Sequence, residues 1–332
     1  MLVYLIRRLV NVAVLLLVVS AITFGIFFMV PKLTGSDPAL YYVGKIADKA
    51  AVEGIRHKMG LDKPIIEQYG LFLKGIFAGR DYSQGADITH CAAPCLGYSF
   101  KTEQEVWPLL LNRLPVTASL AAGASVLWLV LGTATGVVSA LRRRTVLDRV
   151  TMVTALAGVS LPIYFTGLLV LSVFVHTLGW FPNDYVAITD DPVAWAQNLI
   201  LPWITLAFLY AATYARLTRA TLLEVLGEDY IRTARAKGLK ERTVIGKHAL
   251  RSTMTPILTI FGLDIGALIG GAVLTESTFN LRGLGYEAVQ AIAQSDLPVI
   301  MGVTLFAAFF IVMANLLVDL LYAVVDPRVR IG

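Results

Sequence analysis

The chain has 332 residues, of which 57% are hydrophobic and 15% are charged, and its mean hydropathy is +0.70. Soluble domains average about 45–50% apolar and about 25% charged residues. The composition therefore excludes a disordered, fibrous or disulfide-scaffold protein and disfavours a soluble enzyme. The formal net charge of +5 comes from 28 basic and 23 acidic residues, and its distribution is more informative than its total.

Six runs with at most one charged residue are long enough to cross a membrane, which takes about 20 apolar residues in a helix. The runs are 9–30, 114–141, 150–183, 192–215, 252–275 and 297–325. The first follows Arg7 and Arg8, as a signal peptide would, but it is longer than a typical signal region and no A-x-A-like cleavage site follows it. We therefore predict a retained anchor helix and an all-α polytopic membrane protein with six transmembrane helices.

Basic residues are concentrated on one side of these predicted spans. The N-terminus, the loop after the second span, the loop 216–251 and the tail together carry 17 lysines and arginines. The short loops on the other side, 179–199 and 276–296, carry only Arg282. Because cytoplasmic loops are enriched in Lys and Arg, both termini are predicted to be cytoplasmic.

The orientation divides the chain into four parts. They are the tail and first span (1–30), a long extracytoplasmic segment (31–113, here the long segment), a five-helix core (114–325) that includes the cytoplasmic loop 216–254, and a cytoplasmic tail (326–332). Apolar residues recur at helical spacing in the long segment, and Pro64 and Gly79 are placed to begin and end a helix. We expect short helices over the outer mouth of the spans, either as a docking surface or as structural cover.

The only two cysteines, Cys91 and Cys95, both lie in the long segment. Thiols oxidise outside the cytosol, so a disulfide between these residues is predicted. Two unrelated free thiols are the alternative. A metal site that adds His90 is less favoured, because the sequence offers no evident fourth ligand.

The loop after the fourth span predicts a short helix from Gly227 that ends at Gly238. Glu228 and Asp229 lie early in this helix, and Arg235 and Lys237 lie late, which suits the helix dipole. Gly238 can adopt the left-handed conformation that ends a helix, and a second helix is expected from Leu239.

Two spacings add detail to this helix. Glu228 and Arg232 are four residues apart in the favourable order for an ion pair, and Leu226, Tyr230 and Ala234 share one face. A short amphipathic helix of this kind suits a groove on a soluble partner or an anionic lipid surface. Nucleic-acid binding fits poorly, because the basic residues lie beside a bilayer with no fold to present them.

The loop contains three notable stretches, ARLTRA at 215–220, EDYIRTARAKGL at 228–239 and HALR at 248–251. Other notable stretches are GLDKP at 60–64, RLPVT at 113–117, LP at 161–162, LTESTFN at 274–280, GLG at 283–285 and DPR at 326–328. In combination these stretches closely resemble permease subunits of ABC importers, in the dipeptide and oligopeptide branch of binding-protein-dependent transport.

The family's coupling motif has the form E-A-A, three residues, G, and then I-x-L-P. The first part falls on Arg232, Thr233 and Ala234, with Gly238 as the glycine, and the second part falls on 248–251. Arg232 replaces the acid of the motif, and Arg251 replaces its proline. The stretch 81–95, which holds both cysteines, resembles an insertion in the family pattern.

The resemblance implies a type I importer fold and a non-catalytic subunit that forms half of the translocation pathway for peptides. Nickel complexes or glutathione are the alternative cargoes. The implied partners are a second homologous permease, two cytoplasmic ATPase subunits, an extracytoplasmic binding protein and membrane lipid, in a bacterial plasma (inner) membrane. The implied ATPase-coupling residues are Glu228, Asp229, Tyr230, Arg232, Thr233, Ala234, Arg235, Lys237 and Gly238. The sequence holds no G-x-x-x-x-G-K-[S/T] motif, so ATP and Mg²⁺ are expected on the partners, with no cofactor or metal in this chain.

The fifth predicted span carries two further candidates. Gly262, Gly266 and Gly270 recur every four residues, which predicts a close packing seam with another helix of this chain or with the partner permease. Asp264 is an acid inside the membrane and therefore a functional candidate. It either faces the pathway and binds the amino group of a peptide, or forms a hydrogen bond at a subunit seam.

Two other classes of function compete with an importer permease. A proton-driven secondary carrier would use Asp264 and His176 as proton relays. An intramembrane enzyme is weakly supported, because the sequence has no G-x-S-x-G and no H-E-x-x-H motif.

Overall fold

The computed structural model describes residues 2–33, 35, 37–42, 48–84, 87–182 and 184–325. In that part of the chain there are fourteen α-helices, α1 to α14, and two small antiparallel hairpins that supply strands β1 to β4. Five helical runs are long and apolar enough to cross a membrane, and a bent pair of helices makes a sixth when the pair is counted as one span. The predicted all-α membrane fold is confirmed.

The first span contains the predicted anchor run 9–30. α1 (Leu2–Phe24) continues through a π-helical turn (Gly25–Met29) into α2 (Val30–Leu33). The resulting apolar run, Ile6–Leu33, is mostly exposed on its own, and 17% of its most apolar window is buried within the chain. Such a surface suits a helix that faces lipid along most of its length.

The first half of the long segment is helical, as predicted. A 3₁₀ turn (Pro38–Tyr42) precedes α3 (Lys49–Met59) and α4 (Ile65–Ala78). Pro64 immediately precedes α4, and Gly79, with φ of +75°, ends it. Proline fixes a suitable φ at a helix start and glycine tolerates the positive φ at the end.

The second half of the long segment differs from the prediction of short helices. β1 (Arg80–Gln84) pairs with β2 (Asp87–Cys91), and β3 (Tyr98–Ser99) pairs with β4 (Gln104–Glu105). The predicted disulfide joins Cys91 and Cys95, and both are buried with Tyr82 and Tyr98. Strands this short and polar carry little periodic pattern, so burial around the bridge rather than strand propensity defines them.

The third predicted span, 150–183, is not one continuous helix. α5 (Val106–Leu141) forms the second span, and α6 (Val146–Ser160) and α7 (Ile163–Val170) follow it. α7 extends through a π-helical turn (Leu171–Thr177), and the two halves meet at 99°. Pro162 causes the break, because it lacks an N–H and favours an extended conformation in Leu161, which has φ −84° and ψ 124°.

The fourth and fifth spans extend past their apolar runs toward the loop that connects them. α8 (Pro192–Val225) is followed by α9 (Asp229–Ala236) in that loop. α10 (Glu241–Thr243), a π-helical turn (Val244–Ala249) and α11 (Leu250–Ile269) then form one continuous run. The fifth span therefore ends at Ile269 rather than at the predicted Thr275.

The chain closes with α12 (Val273–Thr278), α13 (Leu284–Gln294) and α14 (Leu297–Val325), the last of which forms the sixth span. The predicted tail 326–332 lies outside the described residues. The largest buried cluster lies where the second, fourth and fifth spans meet, around Trp128, Tyr214 and Ile257. The Trp128 ring stacks on Tyr210 with 4.5 Å between their centroids.

Candidate coupling and intramembrane sites

The loop between α8 and α11 folds as the sequence predicts, with a short helix ended by glycine. Glu228 precedes α9, and Asp229 lies in its first turn. At the other end, the Gly238 N–H bonds to the Arg235 carbonyl (2.9 Å) and the Leu239 N–H bonds to the Ala234 carbonyl (3.4 Å). This is the pairing of a Schellman cap, and Gly238 has the required positive φ of +77°.

Two buried side chains anchor α9 to the rest of the molecule. Ile231 is fully buried, and Ala234 is 7% exposed. They pack in one cluster with residues from the ends of α5 and α8 and from the π-helical turn before α11, namely Ala140, Leu222, Val225, Val244 and Ala249. α9 is therefore held where the ends of three spans meet.

The remaining surface of α9 is exposed. The sequence predicts a face formed by Leu226, Tyr230 and Ala234. Leu226 is partly buried and Ala234 is buried, but Tyr230 is 44% exposed. The Tyr230 hydroxyl lies 3.0 Å from the Ser252 hydroxyl. The true buried pair is Ile231 and Ala234, because residues three apart also share a helix face. The other predicted coupling residues are exposed, and they are Glu228, Asp229, Arg232, Thr233, Arg235, Lys237 and Gly238.

The ion pairs of α9 differ from the predicted Glu228–Arg232 pair. Arg232 lies 3.3 Å from Asp229, and Arg235 lies 2.7 Å from Glu241. Hydrogen bonds to Glu241 raise the pKa of Arg235, so this pair stays ionised. It spans the glycine turn and links α9 to α10, and the exposed Arg232 pair contributes little to stability.

A buried ion pair that sequence reasoning missed connects the spans beside α9. Asp148 is 4% exposed and accepts two hydrogen bonds from Arg219, at 2.7 and 2.9 Å. It also accepts from the Ser139 hydroxyl and the Arg144 N–H. The contacts tie the end of α5, the start of α6 and α8 together. Sequence reasoning used this arginine-rich loop only for orientation, so the one acid within it was overlooked.

The glycine seam of the fifth span lies within the chain. A Cβ atom at Gly262 would overlap Val318, and one at Gly266 would overlap Ala314. A Cβ at Gly270 would lie 2.9 Å from Ala307. All three contacts are with α14, so small residues here allow the fifth and sixth spans to approach closely.

Asp264 has a hydrogen-bond partner in its own chain. The Tyr214 hydroxyl donates to its carboxylate at 2.7 Å, and Tyr214 is fully buried in α8. This contact joins the fourth and fifth spans beside Trp128. His176, by contrast, lies 3.0 Å from the Leu171 carbonyl of its own helix, and within the described residues no hydrogen bond joins it to Asp264.

A second buried carboxylate, Glu276, belongs to the family-like stretch 274–280, and sequence reasoning gave it no role of its own. It is fully buried and accepts hydrogen bonds from the Thr117 hydroxyl (2.7 Å) and from the backbone of Ala272 and Tyr286. Burial raises its pKa above the ordinary value. Because Thr117 lies in α5, these bonds fix α12 and α13 against the second span. Among the described residues, no cluster of three or more His, Cys, Asp or Glu side chains suits a metal ion.

The sequence matches two related families over nearly its whole length. Residues 132–331 match the binding-protein-dependent transport system inner membrane component, and residues 1–121 match the N-terminal family of the same membrane components. The fold is also similar to a chain of the MetNI methionine ABC transporter in inward-facing conformations. That likeness has a TM-score of 0.51 and 16% identity, and covers 66% of this chain and 97% of that chain.

Curated relatives align from end to end. A Brucella abortus (strain 2308) protein named as a peptide transport system permease is 40% identical over 325 residues, 98% of each chain. The glutathione transport system permease protein GsiC of Escherichia coli O6:H1 is 36% identical over 99% of each chain. The dipeptide transport system permease protein DppB of Alkalihalophilus pseudofirmus is 35% identical over 99% of this chain and 100% of its own. The chain belongs to the family of inner-membrane components of binding-protein-dependent transport systems.

Proposed function

We propose that this chain is the permease subunit of an ATP-driven peptide importer, that it forms half of the translocation pathway, and that α9 receives the motion of separate ATPase subunits. The observation that carries the proposal is the construction of α9. Two buried side chains attach it to the ends of three spans, while its charged surface and its glycine turn are exposed.

The mechanism follows from that attachment. A partner that grips the exposed surface of α9 can move the helix only together with the ends of α5, α8 and α11, because Ile231 and Ala234 are packed among them. The exposed Arg235–Glu241 pair adds a second link between α9 and the start of the fifth span. The closed ATPase pair would bind one arrangement of the spans more tightly than the other, and its closure would therefore shift the spans toward that arrangement. This step needs no catalytic side chain in this chain.

The partners and orientation follow from the same proposal. A binding-protein-dependent system contains a substrate-binding protein, and a chain without a nucleotide-binding motif requires two cytoplasmic ATPase subunits that hold ATP and Mg²⁺. A second homologous permease would complete the pathway. Both termini would be cytoplasmic. This orientation is supported by the 17 basic residues on the side of the spans where α9 lies, because cytoplasmic loops are enriched in Lys and Arg.

Peptide is the cargo that the relatives support best, since those from Brucella and Alkalihalophilus are named for peptide and dipeptide transport. Glutathione is supported by the Escherichia relative, and nickel complexes stay an alternative from the sequence. We also propose that Asp264 holds the fourth and fifth spans together through Tyr214 rather than binding cargo.

The test is a pair of glycine variants in one loop. A Cβ atom at Gly238 or at Gly246 meets no atom within 4 Å, so neither change to valine causes a clash. Gly238→Val, however, places a β-branched residue at a positive φ of +77°. Only Gly238→Val therefore disturbs the end of α9, at a cost of about 1–2 kcal/mol. We expect Gly238→Val to lower ATP-dependent dipeptide uptake at least tenfold with unchanged membrane insertion, and Gly246→Val to keep uptake within twofold.

Measurement would use radiolabelled dipeptide, glutathione and nickel in cells that express the chain with its neighbouring transport genes. Normal uptake by Gly238→Val would contradict the coupling role of α9. Uptake that persists after ATP depletion, while a proton gradient is maintained, would instead favour the secondary carrier.

A further inference from the structure

Helix α4 exposes an apolar side that the proposed transport function does not use. Ile66 is 87% exposed and Phe77 is 83% exposed, the highest values among the large hydrophobic side chains of the described residues. They are eleven positions apart, which is about three helical turns. They therefore project from the same side of α4, and Gly70 lies between them.

The neighbouring side of α4 packs against membrane spans. The Tyr69 hydroxyl lies 2.8 Å from the Ser20 hydroxyl of α1. The Phe72 ring lies 6.1 Å from the Phe24 ring, which also belongs to α1. Met301 of α14 completes the buried cluster. α4 is thus attached to the first and sixth spans.

These contacts place α4 at the level of the lipid. The uncharged run of the first span ends at Val30, before Lys32, and we take Val30 as the outer edge of the hydrocarbon core. Helices rise about 1.5 Å per residue. Phe24 lies about 9 Å and Ser20 about 15 Å inside that end. Half of a hydrocarbon core is about 15 Å, so Tyr69 reaches deep into the apolar layer and α4 lies beside its outer part.

The charged side chains of α4 lie on a different side from Ile66 and Phe77. They are Glu67 and Lys74, and Lys74, about a quarter turn from Ile66, lines a cavity of about 340 Å³. The other basic residues of this cavity come from neighbouring elements and are His57, Lys58, Lys63, Arg80 and His90, with Asp81 as its one acid. Helices that lie in a membrane interface combine apolar residues on one side with lysine and arginine on the other.

We propose that α4 is an interfacial membrane anchor, whose exposed side contacts the acyl chains of the leaflet on the side of the long segment. The first span also exposes apolar side chains, with Ile22 58% and Ile26 53% exposed. Lipid is favoured over a soluble protein because the contacts with Ser20 and Phe24 set the depth of the helix. The inference does not depend on the cargo or on the coupling role of α9.

The experiment measures the surroundings of single spin labels. The two native cysteines are bridged, so a cysteine introduced at an exposed position is the one site of labelling in this chain, and the unsubstituted chain with the same subunits gives the background label. Ile66→Cys and Phe77→Cys would be compared with Ile88→Cys, a 70% exposed residue of β2. The full chain, with the subunits that copurify with it, would be reconstituted in phospholipid nanodiscs.

Collision rates with oxygen, which enters lipid, and with a polar nickel chelate, which stays in water, decide the outcome. We expect oxygen to dominate at positions 66 and 77 and the nickel chelate to dominate at position 88. Chelate-dominated collisions at 66 or 77 would overturn the proposal, because that residue would face water. Protection of either residue from both reagents would overturn it as well, because a protein partner would cover this side of α4.

Discussion

Helices α4 and α9 both lie outside the spans and both end at a glycine with a similar positive φ, +75° at Gly79 and +77° at Gly238. Their surroundings differ. A Cβ atom at Gly79 would lie 2.8 Å from the Cys91 carbonyl oxygen, whereas one at Gly238 would meet nothing within 4 Å. A glycine with positive φ is therefore enclosed by its surroundings at the end of α4 and open to its surroundings at the end of α9.

The two helices also differ in length and in the residues that they bury. α4 has fourteen residues and buries Gln68, Phe72 and Gly75 against the spans and the disulfide-linked hairpin. α9 has eight residues and buries Ile231 and Ala234. α4 is packed against its neighbours on one side, whereas most of the surface of α9 is exposed, as its proposed role in receiving the motion of a partner requires.

The largest expected effect is that of Gly79→Val. Residue 79 has φ 75° and ψ 170°, a region that is essentially limited to glycine, and strain there costs about 1–3 kcal/mol. Overlap with the Cys91 carbonyl adds about 1–3 kcal/mol. We expect the long segment to be destabilised by about 2–6 kcal/mol, seen as rapid amide exchange in α4 and β2 and a reduced yield of folded protein.

Gly70→Val is the matched control for this change. Gly70 lies on the exposed side of α4 without a positive φ, and a Cβ atom added there would meet no atom within 4 Å. Exchange in α4 should therefore stay within about twofold of the unchanged protein. Equal destabilisation by both variants would show that the enclosure of Gly79 does not matter.

A smaller effect is expected from Ile231→Ala, which removes the main anchor of α9. Replacing a buried isoleucine by alanine costs about 2–5 kcal/mol. The lower part of that range, about 2–3 kcal/mol, applies here, because a short helix at the surface can relax. We expect faster amide exchange in α9 and loss of peptide uptake, while ATP hydrolysis by the partner subunits continues.

Phe72→Ala tests whether the two helices are independent. It removes the aromatic anchor of α4 and should increase amide exchange there, with no change in α9. Altered exchange of α9 in Phe72→Ala, or unchanged exchange of α9 in Ile231→Ala, would contradict separate roles for α4 and α9.

Sequence signals of short range were sufficient to predict both helices. Pro64 and Gly79 delimit α4, and Gly238 ends α9, because proline and glycine restrict or extend backbone conformations wherever they occur. Apolar length likewise located the spans, and the two cysteines in one predicted compartment indicated their bridge.

Features that depend on distant residues could not be predicted in the same way. Asp148 bonds to Arg219, 71 positions away, and Glu276 bonds to Thr117, 159 positions away. Nothing in the sequence near either acid therefore identifies its partner. The 99° bend at Pro162 also depends on packing, since proline inside α5, α8 and α11 does not end those helices. The buried face of α9 was misassigned because residues three and four apart both lie on one side of a helix.

The smallest expected effect comes from Tyr69→Phe, which removes the contacts of the Tyr69 hydroxyl with Ser20 and with the Leu17 carbonyl of α1 and leaves the ring in place. Ser20 keeps its own bond to the Leu17 carbonyl at 2.8 Å, so no buried group loses its last partner and the cost should be about 1 kcal/mol.

That cost corresponds to about a fivefold increase in amide exchange of α4, measured in nanodiscs with α9 as the internal reference. Ser20→Ala should give a similar increase, because it removes the same contact from the other side. An increase confined to Tyr69→Phe would point instead to the weaker contact between the Tyr69 hydroxyl and the Leu17 carbonyl, at 3.3 Å. No increase in either variant would mean that the aromatic packing of Phe72 on Phe24 alone holds α4 at its depth beside the first span.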